Sequence, residues 1–183
     1  MVLLVLGVIL WSAAHLAKRL WPGFHASLGA SERPMVAAAL ILSVILMIIG
    51  YRSADATIWW VATPMLKGIN NLLVLVAFYL FAASGAKSRA GVRLRHPQLI
   101  GFSLWAVAHL ITNGDLPSLV LFGGLLVWAL AEIVLINRAQ PHWTPPTRPI
   151  PVRKEWTTAA AAIAVFLVVG LIHGWIGPNP FGA

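Results

Sequence analysis

The sequence predicts an all-α integral membrane protein with six transmembrane helices, and three observations carry that prediction. Of 183 residues, 60% are hydrophobic and 10% charged, whereas a soluble domain covers itself with roughly a quarter charged residues. The mean hydropathy is +0.85, and the apolar residues gather into runs of about 20, the length that crosses a bilayer. Lys and Arg fall between those runs, concentrated in alternate gaps. There is no cysteine, which excludes disulfides, thiolate catalysis and Cys-held zinc or iron–sulfur clusters. The net charge of +8 comes from scattered cations, with no basic helix carrying interleaved aromatics. It suits anionic lipid headgroups and argues against nucleic acid.

The spans are expected at about 1–20, 34–51, 69–86, 97–114, 117–137 and 157–176, in one domain. The first run opens in apolar sequence without a charged n-region or an A-x-A site, so residues 1–17 are expected to be a retained helix. Pro34, Pro97 and Pro117 stand where a first helical position belongs, and Thr157 where a capped start belongs. Segment 57–66, TIWWVATPML, reads as an interfacial piece and not as a seventh span. Asn70 and Asn71 enter the third span. The fourth opens on Arg95-His96-Pro97 and closes on Asn113-Gly114-Asp115, a turn signal. The last connection, residues 138–156, holds five prolines in nineteen residues and is expected to lie extended along the membrane surface.

Loop charge orients the spans. Gaps one, three and five hold Lys18, Arg19, Arg33, Lys87, Arg89, Arg93, Arg95, Arg138, Arg148, Arg153 and Lys154, whereas gaps two and four hold Arg52 and Lys67. The positive-inside rule then puts both termini outside, in a membrane of the bacterial inner type.

Residues 7–16, GVILWSAAHL, and 101–110, GFSLWAVAHL, agree in Gly, Leu, Trp, Ala, His and Leu. Matching motifs on antiparallel helices one and four are what a 3+3 inverted repeat would give. In each, Gly, Trp and His are spaced four apart and share one helix face. Glycine admits close approach to the backbone, tryptophan offers a flat face, and imidazole ligates metal. Gly7, Trp11 and His15 with Gly101, Trp105 and His109 therefore suit a haem wall. Neutral imidazoles bonded to carbonyls are the structural reading of the same residues. Zinc is disfavoured, since no carboxylate or further His lies three or four residues away.

His15 and His109 are offset by roughly 10 Å in depth at 1.5 Å rise per residue. His173 is the alternative partner, at a depth like that of His109. Glu132 sits inside the fifth span as a structural hydrogen-bonding group or a proton-handling one. Arg95 and His96 at the cytoplasmic surface suit lipid phosphate or an anionic group of a cofactor. His25, His96 and His142 fall in loops and are expected to be exposed or lipid-facing.

The stretch RHPQLIGFSLWAVAHLITNGDLPSLVLFGG closely resembles the signature of the NnrU family, membrane proteins associated with denitrification and nitric-oxide metabolism. That family is similar in turn to 15-cis-zeta-carotene isomerase, a membrane enzyme that uses b-type haem. The resemblance covers His15, the HP-x3-G-x3-W-x2-AHL-x2-NGD block and a closing His173-x3-Gly177. It implies non-covalent haem b, with the isomerase's two ligand histidines falling on His15 and His109. Ala106 stands in place of the isomerase's cysteine, and Asn70-Asn71 where NnrU members often carry a histidine. The implied functions are redox or nitrogen-oxide physiology, or cis–trans isomerisation of a hydrophobic polyene. R-H-P-x3-G also resembles the S-adenosylmethionine site of membrane methyltransferases. Their paired Glu-Glu is reduced here to Glu132, and Leu99 replaces an aromatic.

Overall fold

The computed structural model describes residues 1–147 and 149–182, so Arg148 lies outside the described residues. Five helices are long and apolar enough to cross a membrane. The first is α1, Val2–Leu20. A short α2, Pro22–Ser27, and a 3-10 turn, Gly29–Ser31, lead into α3, Glu32–Arg52. Then come strand β1, Ile58–Val61, and α4, Pro64–Ala86. A short α5, Arg89–Arg93, precedes α6, Pro97–Thr112, and strand β2, Asn113–Asp115. A continuous helical run, α7, covers Leu116–Ala139 and includes a π-helical stretch at Leu119–Gly123. The last helix is α8, Val152–Ile176.

Local chemistry sets these bounds. α4 begins five residues before the expected 69, because Pro64 opens it and the Thr63 side chain accepts from the Leu66 amide at 3.3 Å. α7 opens at Leu116-Pro117, where the Asp115 carboxylate accepts from the Ser118 amide at 2.7 Å. α8 starts after Pro151, so Thr157 lies inside it and donates to the Lys154 carbonyl instead of capping. The Pro-rich residues 141–147 carry no regular structure and are exposed, whereas residues 138–139 and 152–156 of the expected connection are helical.

α6 has 16 residues, about 24 Å at 1.5 Å per residue, short of a bilayer core of about 30 Å. The expected fourth span stops at Thr112 because Asn113–Asp115 leaves the helix and pairs antiparallel with Ile58–Val61. The expected interfacial piece is thus a strand, all four of its residues exposed. A Cβ on Gly114 would lie 2.4 Å from the Trp60 carbonyl oxygen. Only glycine lets the strands close.

α1 packs on α3, α4 on both α6 and α8, and α7 on α6 and α1. Glycine makes the closest crossings, as between membrane helices generally. A Cβ on Gly50 would meet the Leu4 amide at 2.2 Å, and one on Gly124 would meet Val8 at 2.6 Å. Leu4, Val8, Met47 and Leu125 form the buried centre, with Trp11, Phe102 and Trp105 packed against it. Most other large apolar side chains point outward, including Leu167, Val168 and Leu171 of α8. That outward face fits a lipid bilayer.

Candidate functional site

His15 and His109 are held identically. In each, Nδ1 lies 2.9 Å from the carbonyl oxygen of the tryptophan four residues earlier, Trp11 or Trp105. A carbonyl only accepts, so Nδ1 carries a proton, and in the neutral ring Nε2 is the nitrogen with the lone pair. Metal-binding imidazoles are oriented by this kind of bond. Each histidine ring also packs on its tryptophan, with centroids 4.4 Å and 4.9 Å apart. The repeat seen in the sequence is therefore a repeat of local geometry.

The two imidazoles do not face each other. His15 packs on Trp11 and Trp128, and His109 on Trp105 and Phe122, with no ring in common. Trp11, Phe102 and Trp105 form a chain of rings between them, at centroid spacings of 6.4 Å and 5.1 Å. Trp128 and Phe122 come from α7, where sequence reasoning singled out Glu132 but neither ring. Trp128 lies four residues before Glu132, and that spacing, the same as Trp–His, was the available signal.

The glycines of the two motifs do a different job from the one expected. A Cβ on Gly7 would lie 2.8 Å from the Ser43 carbonyl of α3, and one on Gly101 would lie 2.9 Å from the Ala77 carbonyl of α4. Both are filled by a neighbouring helix, so neither offers its backbone to a cofactor. Arg95 and His96 are also occupied. Arg95 donates to the Gln140 carbonyl, and His96 Nε2 lies 2.8 Å from Asn137 Oδ1. Together they fasten the start of α6 to the end of α7. His173 of α8 is bonded through Nδ1 to the Pro178 carbonyl at 2.7 Å. Asn71 donates to the Pro180 carbonyl at 2.9 Å, so the C-terminal segment folds back onto α4.

His15 opens onto two grooves. One, of about 460 Å³, is lined by Trp11, His15, Phe102, Trp128 and Glu132 among others. The second, of about 420 Å³, holds Lys18, Arg19, His25, Glu32 and Arg33, and again His15 and Glu132. Where they meet, Arg19 donates to Glu132 Oε1 at 2.5 Å. His25 is buried and lies 3.4 Å from Glu32. It was expected in an exposed loop, but α2 turns it inward.

Among the described residues, three buried side-chain polar atoms lack a hydrogen-bond partner: Trp11 Nε1, Trp128 Nε1 and Glu132 Oε2. All three belong to residues lining the first groove. Each such atom costs on the order of 1–3 kcal/mol while unpaired, so their coincidence marks the groove as a place for a ligand. No group of three His, Asp or Glu side chains gathers to metal-binding distance among the described residues.

A sequence model of the family described as NnrU protein matches residues 3–180, nearly the whole chain. No curated protein and no solved structure matches.

Proposed function

The chain belongs to the NnrU protein family, and from that premise we propose that it is a membrane haem-b protein of redox or nitrogen-oxide metabolism with His15 as an iron ligand. The observation that carries this reading is the bond from His15 Nδ1 to the Trp11 carbonyl, which occupies Nδ1 and leaves Nε2 as the nitrogen for a metal, in a residue that lines an aromatic groove. Flat apolar walls from Trp11, Phe102 and Trp128 suit a porphyrin, and the two unpaired indole donors would meet oxygen acceptors on it. His109 offers the same chemistry within a tighter ring of aromatics. His109 and His173 are the two possibilities for a second ligand. Because Trp11, Phe102 and Trp105 stand between His15 and His109, the proposal rests on His15 alone. Bound there, haem would supply a redox-active iron, and the protein would supply the imidazole, the aromatic walls and the orientation of the group.

The proposal includes six crossings, with α6 as the sixth, and both termini outside, on the evidence of loop charge. The test is the absorption spectrum and haem content of the purified protein, beside those of His15→Ala, His109→Ala and His173→Ala. His15→Ala should lose haem or shift it to high spin. A wild type without haem, or a His15→Ala spectrum identical to the wild type, refutes the reading.

A further inference from the structure

We propose that the two grooves are one site for an amphipathic anion, with its flat apolar body against Trp11, Phe102 and Trp128 and its carboxylate at Lys18 and Arg33. The inference deepens the haem reading and rests on it for the choice of a porphyrin as probe, but its evidence is separate. The grooves share His15 and Glu132 in their walls and so lie side by side. Their chemistry is opposite. The first is walled by aromatic rings, and the second gathers three Lys and Arg side chains against two carboxylates. Glu132 is paired with Arg19 through Oε1, and Glu32 lies 3.4 Å from His25. Lys18 and Arg33 take part in no ion pair among the described residues, and they flank a groove whose remaining wall is Ala14, Val36, Ala37 and Leu40.

Two unpaired cations beside an apolar wall complement a carboxylate on an apolar frame. The anion clamp therefore falls on α1 and α3, not on Arg95 and His96, which are bonded to α7.

The test uses the full chain in phosphatidylcholine nanodiscs and reads the quenching of tryptophan fluorescence by protoporphyrin IX and by its dimethyl ester. Neither probe contains iron, so histidine ligation plays no part. The wild type should bind the diacid about tenfold more tightly than the ester, as charge-assisted pairing predicts. The double variant Lys18→Gln/Arg33→Gln should lose that preference while keeping its affinity for the ester, which shows the fold intact. Arg95→Gln should leave both affinities unchanged. Equal binding of diacid and ester by the wild type, or a preference that survives in the double variant, overturns the proposal. So does loss of the preference when phosphatidylglycerol is added to the nanodiscs, because the cations then serve lipid headgroups. A diacid preference alongside hemin that shows no imidazole-ligated spectrum would refute the haem reading and leave this site standing.

Discussion

Nδ1 of His109 stands 2.9 Å from the carbonyl oxygen of Trp105, and the ring it belongs to is stacked on Phe122 at a centroid distance of 4.6 Å. His15 repeats the bond but lines two open grooves. Removing the two imidazoles should therefore have unequal effects on folding. His109→Ala leaves a hole among packed rings and should cost about 2–3 kcal/mol, whereas His15→Ala widens an existing groove and should cost under about 1 kcal/mol. Thermal unfolding of the ligand-free proteins in detergent measures the difference. Equal losses would mean that His15 is packed as tightly as His109.

The Arg19–Glu132 pair is asymmetric, with side-chain exposures of 32% and 10%. Arg19→Met strands a buried carboxylate and should destabilise by about 2–4 kcal/mol. Glu132→Leu leaves an arginine that can reach water, and should cost nearer 1 kcal/mol after that screening is allowed for. The double variant should recover most of the loss. A double-mutant cycle with no coupling would show that the pair contributes nothing.

Glycine crossings give a matched comparison. Gly50→Ala drives a methyl group into the Leu4 backbone of α1, and overpacking of this kind costs about 1–3 kcal/mol. Gly68→Ala in α4 meets nothing within 4 Å and should be neutral or slightly stabilising. Equal unfolding midpoints for the two variants would contradict the close α1–α3 approach.

Reporter fusions after Arg89 should behave as cytoplasmic, and fusions at Asp115 and at the C-terminus as external, by the charge asymmetry of the loops. A cytoplasmic C-terminus would remove the basis for six crossings.

The long helices were legible because each is built on a long apolar stretch, and their cores sit where hydropathy placed them. Their ends depend on single caps. Thr63 and Pro151 moved two starts because a side-chain acceptor or a fixed φ outweighs a few polar residues. The pairing of Ile58–Val61 with Asn113–Asp115 was not legible, since two short segments far apart in the chain share no pattern. At the site, the Gly-Trp-His spacing correctly announced one shared local geometry. It misassigned Gly7 and Gly101, because a sequence shows that something approaches a glycine but not whether that something is a helix or a ligand. His25 was missed for the same kind of reason, since a short turn such as Pro22–Ser27 has no periodicity to reveal its inward side. Glu132 stood out as an ionisable residue in an apolar span, whereas Trp128 was separable from the background only through its fourfold spacing from Glu132.

The shortness of α6 also sets how the protein meets its membrane. A helix of 16 residues leaves about 6 Å of a 30 Å hydrocarbon layer unspanned, and the strand pair beyond it presents main-chain groups along β1's free edge that lipid tails cannot solvate. If α6 crosses as proposed, water and headgroups would dip toward Thr112, and the bilayer would be pinched on that flank while the 25 residues of α8 require full thickness beside α4. Six crossings would thus set the protein in a wedge-shaped lipid boundary. Its stability should fall as acyl chains lengthen, and lipids with short chains should collect around the Trp59–Trp60 strand.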